Sequence, residues 1–145
     1  MVPGRSAGGM LRRHIISGRD HRMQFAEAVE HHLATIAARD LEAFLATVHD
    51  DVAIIAPNGR MLAGREEVAA FHRDWFADPD WTWTLEPLRR VETGDTGLAT
   101  YAVTYDDLDA GGRPYAMSYV LTLVFARVGG TWLLVHDQNT LSSRA

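Results

Sequence analysis

"GGTWLLVHDQNT", residues 129–140, is the stretch on which the fold turns. A double glycine makes a turn, Trp132–Val135 reads as a strand meant for burial, and the strand then runs into His136, Asp137, Gln138 and Asn139. Alternate side chains of a strand point to opposite faces. An unbroken strand therefore groups Leu133, Val135, Asp137 and Asn139 on one side and Trp132, Leu134, His136, Gln138 and Thr140 on the other. Both sides begin apolar and end polar. One must face the chain's own helices; the other carries Trp132 and Leu134 and expects a partner too. With Leu121 and Leu123 added, this predicts a homodimer through the convex face of a sheet. His136 and Gln138 would hydrogen-bond at that interface, and Asp137 and Asn139 would face a pocket. The plainer alternative is strand-end polarity near solvent.

Upstream, "YAMSYVLTLVFARV" (115–128) is a long apolar strand and "DDLDAGGRP" (106–114) a hairpin loop. Leu98–Tyr105 alternates, with Tyr101, Val103 and Tyr105 on one face, and Trp81, Trp83 and Leu85 alternate with polar residues up to a stop or bulge at Pro87. Before "DPD" (78–80) the period is mostly helical. Phe25, Ala28, Val29, Leu33 and Ile36 form a stripe that includes His32 and leaves His31 outside. Asp40 caps a short second helix with Leu41, Phe44, Leu45 and Val48 inward. "VAIIAP" (52–57) is a strand, and Asn58–Gly59 turns it into Met61–Leu62. Gly64 opens a third helix with Val68, Phe71 and Trp75 on one face. Helices followed by a meander define an α+β class: three N-terminal helices on a strongly curved antiparallel sheet, with a cleft between.

A chain of 145 residues, 47% hydrophobic and 23% charged, fits one globular domain, placed at 23–145. Residues 1–22 hold five of the 14 cationic residues, all Arg, and one of the 19 acids, which leaves nine Arg against 18 acids in the body. Phosphate binding needs a basic face, so nucleic acid is not an expected partner. The first 22 residues lack an apolar run for a signal peptide or membrane span, and a disordered leader is expected there, with Met10 or Met23 as possible starts. A cytoplasmic location is the default, with no membrane partner. There are no cysteines, and no His-x-His or His-x-x-x-His pair, so no metal site is expected. No phosphate loop or nucleophile elbow occurs, and no cofactor is expected.

Two kinds of residue could carry chemistry. His32, mid-stripe, is either a hydrogen-bonded core histidine or a ligand-binding or acid–base group pointing into the cleft. Phe71, Trp75, Trp83, Tyr101 and Tyr105 either line an aromatic cavity or belong to the plain core.

The segments "AARDLEAFLATVHDDVAIIAPNGRMLAGREEVAAFHRDWF" (37–76) and "GGTWLLVHDQNT" together resemble the NTF2-like superfamily, specifically its SnoaL-like and DUF4440-type members. The resemblance spans roughly 24–141 and implies a cone-shaped scaffold that hosts isomerases, cyclases, dehydratases and binding or assembly modules. Relatives of this kind occur in enediyne and polyketide antibiotic clusters. In the ketosteroid isomerases of this fold the general base precedes the Pro of the first strand; Ala56 stands there. Their oxyanion Tyr matches His32, and an ungapped count puts their protonated Asp at Thr122. With the base missing, that proton abstraction is not supported. The same threading puts Tyr101, Val103, Tyr105, Asp137 and Asn139 on the pocket side. Two readings follow: a protein that binds a hydrophobic polycyclic or polyketide-derived molecule, accessory to secondary metabolism, with Asn139 and the aromatic residues as ligand contacts; or an enzyme using His32 and Asp137 as an acid–base pair.

Overall fold

A computed structural model describes residues 23–142, so the expectation for a leader at 1–22 lies outside the described residues. Helices α1 (Phe25–Ala37) and α2 (Leu41–Leu45) precede strands β1 (Val48–Ile55) and β2 (Met61–Ala63). Helix α3 (Arg65–Ala77) then leads into β3 (Thr82–Thr93), β4 (Thr96–Leu108), β5 (Pro114–Val128) and β6 (Thr131–Leu141). One six-stranded sheet runs in the order β2-β1-β6-β5-β4-β3. It is curved and unclosed, an α+β cone with the helices on its concave side. Its pairings are antiparallel except β1 with β6, which run parallel because the last strand returns beside the first.

Local chemistry accounts for the joints. Asp40 accepts the Ala43 amide at 3.0 Å and caps α2. Just before it, α1 ends in a Schellman turn: Asp40 N donates to Thr35 O (3.1 Å), Arg39 N donates to Ile36 O (2.9 Å), and Arg39 takes φ 54°. That left-handed position costs an L-residue on the order of 1 kcal/mol, and from it the side chain extends a guanidinium to Trp81. It lies 3.9 Å over the Trp81 ring and donates to the Trp81 carbonyl at 2.6 Å. The Asn58–Gly59 turn is present, with Gly59 at φ 88°. β3 slips register between Pro87 and Arg89, the bulge expected of a proline that cannot donate to the ladder.

The core lies between α1 and the middle of the sheet. Phe25 packs on Phe125 and Trp132, with ring centroids 5.7 Å and 5.0 Å away. Gly97 lets that ring lie against β4: a Cβ there would collide with Phe25.

The deciding strand differs from its expected parity. His136 pairs with Val124 but Leu134 pairs with Phe125, so Val135 is an extra residue, a β-bulge. The bulge resets the alternation. Trp132 and Leu134 point to the same concave side as Asp137 and Asn139, and Trp132, Leu134, Leu121 and Leu123 are all buried in the protein's own core. These four residues therefore do not form the convex face. That face carries Val124, Thr122 and Val120 of β5 and His136 and Gln138 of β6, all half-buried. Helix α3 is also rotated by about one residue from expectation. It buries Val68, His72 and Phe76, so Phe71 and Trp75 sit at the flank.

Candidate functional site

A cavity of about 580 Å³ lies between α3, the β1–β2 turn and the concave side of β3–β6. Its floor is Ile36, Ile54, Leu121, Tyr119 and Asp137; the exposed Asn58, Phe71, Asp74 and Tyr115 mark its mouth. Of the residues singled out in the sequence, Asp137, Asn139, Phe71, Trp75, Trp83 and Tyr105 line it. His32 and Tyr101 are not in its lining. Thr122 is opposite Gln138 on the convex side, away from it.

Asp137 and Asn139 work as a pair on the last strand. Asn139 Nδ2 donates to Asp137 Oδ1 at 2.8 Å and to the Ile55 carbonyl of β1 at 2.9 Å. The amide thus ties β6 to β1 and holds the carboxylate at the cavity wall. Asp137 is 8% exposed, and burial pushes its pKa up to about 7 against the smaller, opposing effect of the Asn139 bond. In turn it helps burial raise the pKa of Tyr119. Near neutrality this carboxyl can either give or take a proton.

The other end is an aromatic shell with its own acid. Trp75 Nε1 donates to Tyr105 Oη at 2.9 Å, and Tyr105 Oη donates to Asp107 Oδ2 at 3.0 Å. Asp107 Oδ1 accepts the Leu108 amide at 2.7 Å. Burial is the main reason the Tyr105 pKa is raised. Trp75 stacks on Trp81 with centroids 4.5 Å apart and meets Trp83 edge-on at 5.7 Å.

His72 is a wall residue that the helix pattern concealed. Its Nδ1 lies 2.8 Å from the Val68 carbonyl, which can only accept, so Nδ1 carries the proton and Nε2 does not. The ring lies against Phe44 with centroids 4.1 Å apart, and burial pulls its pKa down to about 4, the Val68 bond opposing. The spacing Val68–His72–Phe76 was the available signal; a histidine at its centre reads as polar.

His32 is fully buried in the core beside Phe44 and Phe125. The Thr47 hydroxyl donates to Phe44 O at 2.6 Å, so His32 Nδ1, 2.8 Å from Thr47 Oγ1, is the donor of that contact. Nε2 is buried with no hydrogen-bond partner among the described residues. Burial foremost, then the nearby His72 and His31, lowers the pKa to about 3. Among the described residues no three His, Asp or Glu side chains gather to hold a metal ion, and no helix is long and apolar enough to cross a membrane.

Solved structures show the same architecture. An NTF2-like family protein from Streptomyces avermitilis, described as a dehydratase, is 20% identical with a TM-score of 0.70, covering 83% of this chain and 95% of its own. A ketosteroid isomerase-like protein from Erwinia carotovora atroseptica is 20% identical with a TM-score of 0.69, covering 82% and 94%. The CaMKII hub of S. rosetta is 24% identical with a TM-score of 0.64, covering 81% and 94%. These likenesses define an NTF2-like fold. The sequence pattern of the SnoaL-like domain matches residues 29–133, and the chain belongs to that family. No curated protein matches the sequence.

Proposed function

We propose that the chain is a cytoplasmic small-molecule-binding SnoaL-like protein, accessory to secondary metabolism, whose ligand is a hydrophobic polycyclic or polyketide-derived metabolite. The observation that carries this reading is the cavity of about 580 Å³ walled by Phe71, Trp75, Trp83, Tyr105 and Tyr119. Its size lies within the range of small-molecule pockets, and a few polar groups among apolar walls suit one oriented ligand. The acid–base alternative has less support. Ala56 offers a methyl group to the cavity where the isomerases keep their base, and His32 is absent from the cavity wall, so it does not pair there with Asp137.

Calorimetry against a panel of polycyclic polyketides tests the reading. At least one should bind, Ala56→Phe should abolish that binding by filling the cavity, and His32→Leu should change affinity less than twofold. Binding untouched by Ala56→Phe would place the ligand elsewhere.

The proposed partner is a second copy, through the convex sheet face, now assigned to Val120, Thr122, Val124, His136 and Gln138. Among the described residues no helix covers this half-buried face, and the likeness to a kinase hub supports assembly. Light scattering should give about twice the 16.1 kDa chain, and Val124→Arg should halve it. A wild-type monomer removes this part of the proposal.

A further inference from the structure

The cavity has a charge imbalance that a neutral ligand does not explain. Four carboxylates line it, Asp74, Asp78, Asp107 and Asp137, and among the described residues no arginine does. Every permanently charged side-chain cation in this chain is an arginine. Arg39 is outside the lining and holds the Trp81 ring and the Asp78 and Trp81 carbonyls. His72 lines the wall with its Nδ1 proton committed to a backbone carbonyl. Among the described residues none of the four acids is in an ion pair, the ion pair present being Arg127 with Asp95 on the surface.

Two of these acids are deep, Asp107 and Asp137, each 8% exposed. Carboxylates are buried at a cost unless a counter-charge or enough donors meet them. Asp107 has donors for both oxygens, from Tyr105 and Leu108. Asp137 does not. Its Oδ1 accepts from Asn139, whereas Oδ2 has no hydrogen-bond partner among the described residues and the side chain lines the cavity. Tyr119 stands close enough to feel its charge, and Trp75, Trp83 and Tyr105 line the rest of the same cavity, the kind of ring that attracts a cation.

We propose that the ligand is a hydrophobic organic cation, an apolar body bearing an ammonium centre that pairs with Asp137 inside the aromatic walls. This rests on the small-molecule reading and narrows it. The apolar body fills the space between α3 and the sheet; the ammonium supplies the counter-charge that no side chain among the described residues brings. Asp74 at the mouth and Asp78 and Asp107 deeper in favour the entry of a positive ligand and oppose a carboxylate.

The test uses benzyltrimethylammonium and its carbon isostere 2,2-dimethylpropylbenzene, which share shape and differ in charge, with 3-phenylpropionate as the anion. Binding to the full chain is followed at pH 8 by Trp fluorescence, with Asp137→Asn in parallel. The ammonium should bind at least tenfold more tightly than the isostere, about 1.4 kcal/mol, and the anion should not bind. Asp137→Asn should lose at least tenfold for the ammonium and leave the isostere unchanged. Equal binding of isostere and ammonium overturns the cation and leaves the hydrophobic pocket standing. An ammonium preference that survives Asp137→Asn, or preference for the anion, overturns the proposal. If no probe binds at millimolar concentration, the cation proposal fails, and failure of the polyketide panel as well would sink the pocket reading.

Discussion

Replacing Asp137 by Asn should make the protein more stable at pH 8 and leave it nearly unchanged at pH 4. The folded pKa of about 7 stands some three units above the ordinary 3.8, and at 1.36 kcal/mol per unit the penalty for ionising this carboxyl is on the order of 4 kcal/mol. Because the folded-state value is raised, the folded protein holds the proton that the unfolded chain has released. The stabilisation is complete below pH 4 and lost as the pH rises through 7. Asn is neutral throughout and keeps an acceptor toward Asn139 Nδ2, so the variant avoids the loss. The buried His32 and His72 work in the opposite sense: their pKa values of about 3 and about 4 cost stability as pH falls below 6.5. The wild-type profile alone therefore mixes both slopes, and the difference between wild type and variant isolates Asp137. Urea unfolding at pH 4, 6 and 8 measures it, and at pH 8 a gain in Tm on the order of ten degrees should accompany it. A variant less stable than wild type at pH 8, or a difference that ignores pH, would show instead that Asp137 is a structural group satisfied by the fold.

Tyr105→Phe removes an oxygen that accepts from Trp75 and donates to Asp107, stranding both; it should cost about 1–3 kcal/mol in urea unfolding, and a silent substitution would mean those groups find other partners. Gly97→Ala forces a methyl against the Phe25 ring and should cost about 1–3 kcal/mol by overpacking, seen as a lower Tm without loss of ligand affinity.

Much of this arrangement is legible in local chemistry. The Asp40 cap, the Asn58–Gly59 turn, the bulge after Pro87 and the Tyr101–Tyr105 alternation each depend on residues within a few positions of one another. The deciding strand is different. Leu134 and Val135 are both apolar, and neither glycine nor proline marks the bulge between Trp132 and His136. Strict alternation therefore placed Asp137 and Asn139 toward the pocket correctly but sent Trp132 and Leu134 to the wrong face. Parallel pairing of β1 with β6 joins residues some 80 positions apart, such as Ile54 and Asp137, and no local pattern announces it. In α3, Val68–Phe71–Trp75 and Val68–His72–Phe76 are rival stripes one residue apart, and hydrophobicity favours the first. The buried set is the second, with Phe44 stacked on His72. For His32 the stripe was right, and burial chose the core.

A crystal structure of the protein with its tightest-binding ligand shows whether the cavity is the binding site. Ligand density is expected between Trp83 and Tyr119, with a polar or charged ligand atom within hydrogen-bonding or ion-pairing reach of Asp137 Oδ2. Density on the convex sheet face, or a ligand inside the cavity that turns its polar end away from Asp137, would contradict it.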